Sequence, residues 1–257
     1  MKSKIGYAVL FFGVFLLSLL VMTPATYVAS ILEEEVDGLT LYGVEGTLWS
    51  GEMQALEIEG VVLENIEWSL SPLALLFGNA QLHMTSSSDG LQGDGVVEIG
   101  LLSHEITLYD TVVQLPVEKY APQLGLADFD LTGELELNLK QLRYQQGVIY
   151  DLSGLLVWHQ AGISGALALG VLQAEFTQQE GVLEAVLSDR EGPVKLDGEL
   201  SLQSSGHYQF KSRLGARDES DLGLKQTLRL IGRTIDENRV EVKMSGSVVL
   251  PKWLVLG

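Results

Sequence analysis

The chain contains no cysteine, so no disulfide can staple it, no thiolate can hold a metal, and stability must come from packing alone. Basic residues are scarce as well. Sixteen Lys and Arg stand against 34 Asp and Glu, which gives a formal charge of −18 over 257 residues. Because Lys2 and Lys4 are the only charges ahead of residue 26, the remainder carries −20. A surface of that sign repels phosphate backbones and anionic headgroups, which argues against nucleic acid as a partner. Its simplest role is solubility.

Charge is missing altogether from Ile5 to Met22, and Thr23-Pro24 closes the run. Those 18 residues would make roughly 27 Å of helix, close to the hydrocarbon thickness of a bilayer. A single transmembrane helix over residues 5–25 is the expectation. A secretory signal is the rival reading, since Val28-Ala29-Ser30 would serve as a small-residue cleavage site. Signal apolar regions, however, usually span about 7–15 residues. Lys2 and Lys4 precede the run and Glu33, Glu34 and Glu35 follow it, so the positive-inside rule keeps residues 1–4 in the cytoplasm. Residues 26–257 are then exported, with a sub-boundary at 116–130. Tyr27 to Val36 reads as an outward continuation of the membrane helix, with Val28, Ile31, Leu32 and Val36 on one face.

Beyond that point the dominant signal is period two. Leu56 and Ile58 alternate with Glu57 and Glu59; Ile66, Trp68 and Leu70 with Glu67 and Ser69; Leu82 and Met84 with His83 and Thr85. The pattern returns in Leu135-Leu137-Leu139, in Leu172-Ala174-Phe176, in Val194-Leu196 with Leu200-Leu202, in Tyr208-Phe210 and in Val240-Val242-Met244. Strands with one apolar and one wet face are what antiparallel sheets tolerate. The predicted fold is therefore mainly β. Glycines at Asp89-Gly90, Gly93-Asp94-Gly95 and Ser205-Gly206 mark turns, while Gly133 and Gly198 fall inside strand patterns and predict bulges or bends. A sheet so interrupted curves.

Helices are few and short. Ser71-Pro72 opens one through Leu76 and Phe77 that Gly78 stops, and Pro116 opens another with Val117, Tyr120 and Leu124. Ser220 or Asp221 caps a third that aligns Leu224, Leu228 and Ile231 before Gly232. Each is placed to plug an open end of the sheet. A weak internal repeat runs from Gly46-Thr47-Leu48-Trp49-Ser50-Gly51 to Trp68 and from Leu131-Thr132-Gly133-Glu134-Leu135 to Trp158.

No catalytic, cofactor-binding or metal-ligating set emerges. Glu57/Glu59 and Glu134/Glu136 sit two apart on wet strand faces. His83, His104, His159 and His207 lack any metal spacing. Gly162-Ile163-Ser164-Gly165 lacks the final spacing of a nucleophile elbow, and Gly93-x-Gly95 does not continue into a dinucleotide fingerprint. An enzyme is not expected. Trp49, Trp68 and Trp158 read as core residues beside strands. Trp253, in the tail Pro251 to Leu256, would dock on the sheet or on a partner.

Gly46-Thr47-Leu48-Trp49-Ser50-Gly51, then Trp68-Ser69-Leu70-Ser71-Pro72-Leu73-Ala74-Leu75-Leu76, then Leu187 to Gly198, behind one N-terminal anchor, resemble the type II secretion system protein N family, also called general secretion pathway protein N. The first motif is similar also to AsmA-like envelope proteins. The resemblance covers nearly the whole chain. It implies a single-pass protein of the inner membrane, N-terminus cytoplasmic and C-terminal domain periplasmic, accessory to a machine that moves folded proteins from the periplasm across the outer membrane. Implied partners are other components of that system, with lipid met through the anchor. The AsmA-like relation implies a U-shaped or partly rolled, open-barrel sheet with an apolar concave face. The alternative is a periplasmic protein whose hydrophobic groove binds or carries lipid.

Overall fold

The computed structural model describes residues 7, 11, 18, 21–36, 38–58, 61–88, 90–121, 130–165 and 167–248. Most of the expected anchor at 5–25 lies outside them, as do Glu59, Leu124 and the tail with Trp253. Among the described residues no helix is long and apolar enough to cross a membrane. The chain divides into two compact units, Met1–Asp89 and Gly90–Gly257.

In the first unit, helix α1 (Ala25–Glu35) precedes strands β1 (Leu39–Tyr42), β2 (Glu45–Gly46), β3 (Ser50–Ile58), β4 (Val61–Leu70) and β5 (Asn79–Ser87). A short helix, α2 (Pro72–Leu76), joins the last two strands. All pairings are antiparallel, with β3 between β4 on one side and β1 and β2 on the other, and β5 beyond β4. Apart from Glu59, the alternating residues expected around Leu56, Ile66 and Leu82 lie in these strands. Ser71 caps α2 as predicted, its Oγ accepting the Ala74 N–H at 3.4 Å.

The expected continuation of the membrane helix through Tyr27–Val36 is corrected by the chain path. Tyr7, Phe11, Ser18 and Val21 are helical, and Met22 N–H still donates to Ser18 O at 3.0 Å. Pro24 then leaves the helix at φ −67° and ψ 141°, and α1 begins anew at Ala25. Proline has no N–H to continue the ladder and disfavours helix in the residue before it. The buried face of α1 also differs from the expected one. Ala25 and Ala29, one turn apart, are buried, whereas Ile31, Leu32 and Val36 are exposed. Small side chains let the helix approach β1 and β2 closely.

The second unit is a wider antiparallel sheet. Its strands are β6 (Gln92–Gly100), β7 (Ile106–Pro116), β8 (Leu131–Gln145), β9 (Val148–Ile163), β10 (Leu167–Gln179), β11 (Val182–Glu191), β12 (Val194–Gln203), β13 (His207–Ala216), β14 (Arg233–Thr234) and β15 (Arg239–Ser247). They pair in chain order, except that β15 inserts between β13 and β14. Helix α3 (Val117–Tyr120) packs on β7 and β8, and α4 (Leu222–Ile231) on β13 and β15. Asp221, the second of the two candidate caps, accepts the Leu224 N–H at 2.9 Å.

Gly133 is a bulge as expected: its φ is +109° and the β8/β9 register slips across it. Gly198 is not. Its register with Leu187 and Ser212 runs unbroken, and the missing side chain makes room instead, since a Cβ there would lie 3.0 Å from that of Ser212. The tightly packed core of this unit is small: Val194, Ala216, Leu224, Leu228 and Val240, all buried, with Leu167, Leu169 and Leu214 against them. Ile231, expected on the same helix face, is exposed at the last turn of α4.

Candidate binding face

Residues that pair across neighbouring antiparallel strands share a face, so the register of the second unit sorts its side chains into rows. One row runs Leu137, Leu156, Ala174, Leu187, Gly198, Ser212, Val242; the next runs Leu139, Gly154, Phe176, Ala185, Leu200, Phe210, Met244. A third brings Leu135 against Trp158 and Leu172. Between them, on the other face, run Asn138, Leu155, Glu175, Val186, Glu199, Lys211 and Lys243. Four of those seven are charged.

The two faces meet water differently. Glu175, Val186, Glu199, Lys211 and Lys243 are exposed, whereas most of the apolar rows are half-buried and Leu139, Ala185 and Ser212 are buried. The apolar side chains shade one another along and between the rows. Among the described residues α4 seals one end of the face, at Val194 and Val240. The rows through Phe176, Leu200 and Phe210 contribute nothing to that core, and Met244 at the edge is 53 % exposed. Extended apolar surface of this kind marks an interaction site.

The polar side holds mixed charge. A hollow of about 880 Å³ is lined there by residues including Asn138, Lys140, Glu175 and Arg190, and another of about 650 Å³ by Glu184, Glu199, Lys211 and Lys243. Glu136 accepts from Asn138 Nδ2 at 2.7 Å and from Gln114 Nε2 at 3.2 Å, with His159 Nε2 at 3.4 Å. The Asn138 bond, then the Gln114 bond, hold its carboxyl below the usual range. Glu105 is lowered chiefly by Arg143, whose Nε donates to it at 2.8 Å. These are carboxylates satisfied by neighbours, Glu105 accepting also from the Thr107 hydroxyl at 3.3 Å. Glu134 of the expected acidic pair is exposed on the strand.

His83 lies on β5, His104 follows β6, His159 is on β9 and His207 opens β13. Among the described residues no group of three or more His, Asp or Glu is placed to hold a metal. Gly162 and Ile163 end β9, and Ser164-Gly165 form a turn into β10 rather than a helix.

The tryptophans depart from expectation. Trp49, Trp68 and Trp158 are half-buried, not core. Trp158 sits in the third apolar row and donates Nε1–H to Thr132 O at 3.0 Å. Trp68 lies over Gly51, its cross-strand partner, where a Cβ would come within 2.5 Å of the ring.

One feature of the first unit was not foreseen. Gly46 to Gly51 closes the β2–β3 hairpin, with Thr47 N–H donating to Ser50 O at 2.9 Å, and the same turn grips the segment after the apolar run. Leu48 N–H donates to Thr23 O at 3.0 Å, and Pro24 bridges Thr47. The only sequence signal was the motif itself.

A family model described as "Type II secretion system (T2SS), protein N" matches residues 37–243. Among curated proteins, the type II secretion system protein N of Vibrio cholerae is 31 % identical over 255 residues, covering 96 % of this chain and 100 % of the relative. That of Aeromonas hydrophila is 30 % identical over 257 residues with the same coverage, and that of Pectobacterium carotovorum 22 % identical over 264 residues, covering 97 % and 100 %. No solved structure matches the chain.

Proposed function

The chain belongs to the type II secretion system protein N family, and from that premise we propose that it is an accessory inner-membrane component of the pathway, supporting passage of folded proteins from the periplasm across the outer membrane. In this reading residues 1–4 are cytoplasmic, 5–25 anchor the chain, and 26–257 form a periplasmic β domain. The sheet is U-shaped or partly rolled, and its apolar concave side or its edges meet other components of the system. The observation that carries the reading is the match along nearly the full chain, to relatives that bear this name. The apolar run with its charge asymmetry supports the topology.

Deleting the gene from a host with the complete system should leave part of the folded exoprotein pool in the periplasm. Unchanged secretion would overturn the proposal.

A second reading is favoured by the apolar rows that α4 leaves uncovered: the face holds acyl chains. The purified protein should then retain lipid identifiable by mass spectrometry, and deletion should alter lipid distribution while secretion continues. Neither reading calls for a catalytic residue.

A further inference from the structure

From Trp68 to Ser88 the sequence carries no Asp, Glu, Lys or Arg. The middle of that stretch is α2 and its cap, the connection between β4 and β5. Its apolar side chains are not folded inward. Leu73 is 69 % exposed, Leu76 79 % and Phe77 84 %. Solvent exposure of three neighbouring large apolar groups on a turn that packing does not require is a signature of a surface that meets something apolar.

The topology says where this tip points. Leu70 N–H donates to Trp49 O at 2.7 Å, and Ser71 N–H to Gln81 O at 2.9 Å, so α2 projects from the sheet end that carries Trp49. The turn next to Trp49 is the one that holds Thr23 and Pro24. The chain emerging from the apolar run therefore enters the first unit at the same end as the exposed tip. Tyr27, which is 66 % exposed on the first turn of α1, stands there too. The opposite end of β4 begins at Val61, beyond the charged positions Glu64 and Glu67. The connection from the run to the unit is short: helix ends at Val21 and a β-bridge to Thr47 forms at Pro24.

We infer that α2 and its flanks form a membrane-contacting tip, with Leu73, Leu76 and Phe77 seated in the interfacial layer of the bilayer that residues 5–22 enter. The occupant is the lipid surface. Apolar and aromatic groups are favoured at that depth, and the lack of carboxylates removes the repulsion that an acidic domain would otherwise meet there. Two attachments, the run and the tip, fix the tilt of the first unit against the membrane where a single tether would leave it free to swivel. The inference rests on the anchored reading proposed above.

The cysteine-free sequence makes the test direct. Leu76→Cys, Phe77→Cys, Val62→Cys and Phe11→Cys are each introduced singly into the full chain, spin-labelled, and reconstituted into phosphatidylethanolamine–phosphatidylglycerol vesicles. Collision with oxygen, which partitions into lipid, is compared with collision with a water-soluble nickel chelate. Labels at 76 and 77 should favour oxygen several-fold more than the label at 62, approaching the label at 11. If 76 and 77 resemble 62 while 11 reports lipid, the tip contact is wrong and the anchor stands. A water-exposed label at 11 would sink the anchor reading and the tip with it. Labels at 76 and 77 shielded from both reagents would place the tip against protein, which also overturns the proposal.

Discussion

Two ends of the same apolar face, both in the second unit, have opposite fates. At one end α4 lays Leu224 and Leu228 over Val194, Ala216 and Val240, and every one of these is buried. A few residues along the same strands, Leu200 and Phe210 are only half-buried and Met244 is exposed. The strands are continuous and the side chains equally apolar, so what differs is a ten-residue helix. A single-layer sheet can bury its apolar side only where something is laid upon it, and the uncovered rows are where a partner or ligand would supply that layer.

The largest effect expected is at the covered end. Leu228→Ala should cost about 2–5 kcal/mol, because it removes a buried side chain and leaves a cavity, whereas Phe210→Ala should cost much less. Chemical denaturation of both variants measures the contrast. Equal losses would mean that the open rows are covered in solution, and the comparison would break. Trp158→Ala comes next, at about 2–3 kcal/mol: less than the roughly 3–5 of a buried indole because the ring is half exposed, with the bond to Thr132 O lost as well.

The smallest effect belongs to the polar side. Glu136 has its pKa lowered by Asn138 and Gln114, so its contribution is complete above the unfolded-state value near ~4.3 and is lost as pH falls through the lower folded-state value. Glu136→Gln should therefore flatten the decline of the denaturation midpoint on acidification. An unchanged slope would show that the bonds to Asn138 and Gln114 are not kept in solution.

The strand faces were legible because alternation survives wherever one side is wet, as in Leu135-Leu137-Leu139. The caps at Ser71 and Asp221 were legible because hydrogen-bonding side chains precede short apolar runs. Around Leu155-Leu156-Val157-Trp158 alternation fails. Val157 is buried on the otherwise polar face, so both sides are apolar there. The small-residue seating of α1 could not be read, since alanines carry little hydrophobic signal. The grip of Leu48 on Thr23 is made by backbone atoms, which leave no mark in the choice of side chains. The same limit hid the candidate face. Of its strands β8, β10, β12, β13 and β15 were recognised singly and β9 and β11 were not, and which residues align into rows depends on register, which bulges such as the one at Gly133 reset.

The pairing order has a consequence for how the molecule comes into being. From β6 to β13 every strand pairs with its sequence neighbours, so each new hairpin can add to the one before it as the chain is delivered from its N-terminus, with little loop entropy to overcome. The last step is different. β14 cannot pair until β15 has arrived to lie between it and β13, and Val240, which completes the core under α4, comes with that strand. Pairing can thus be incremental through β13 and end in one closing event, which leaves the core formed by Leu228 with Val194 and Ala216 incomplete until Val240 is in place.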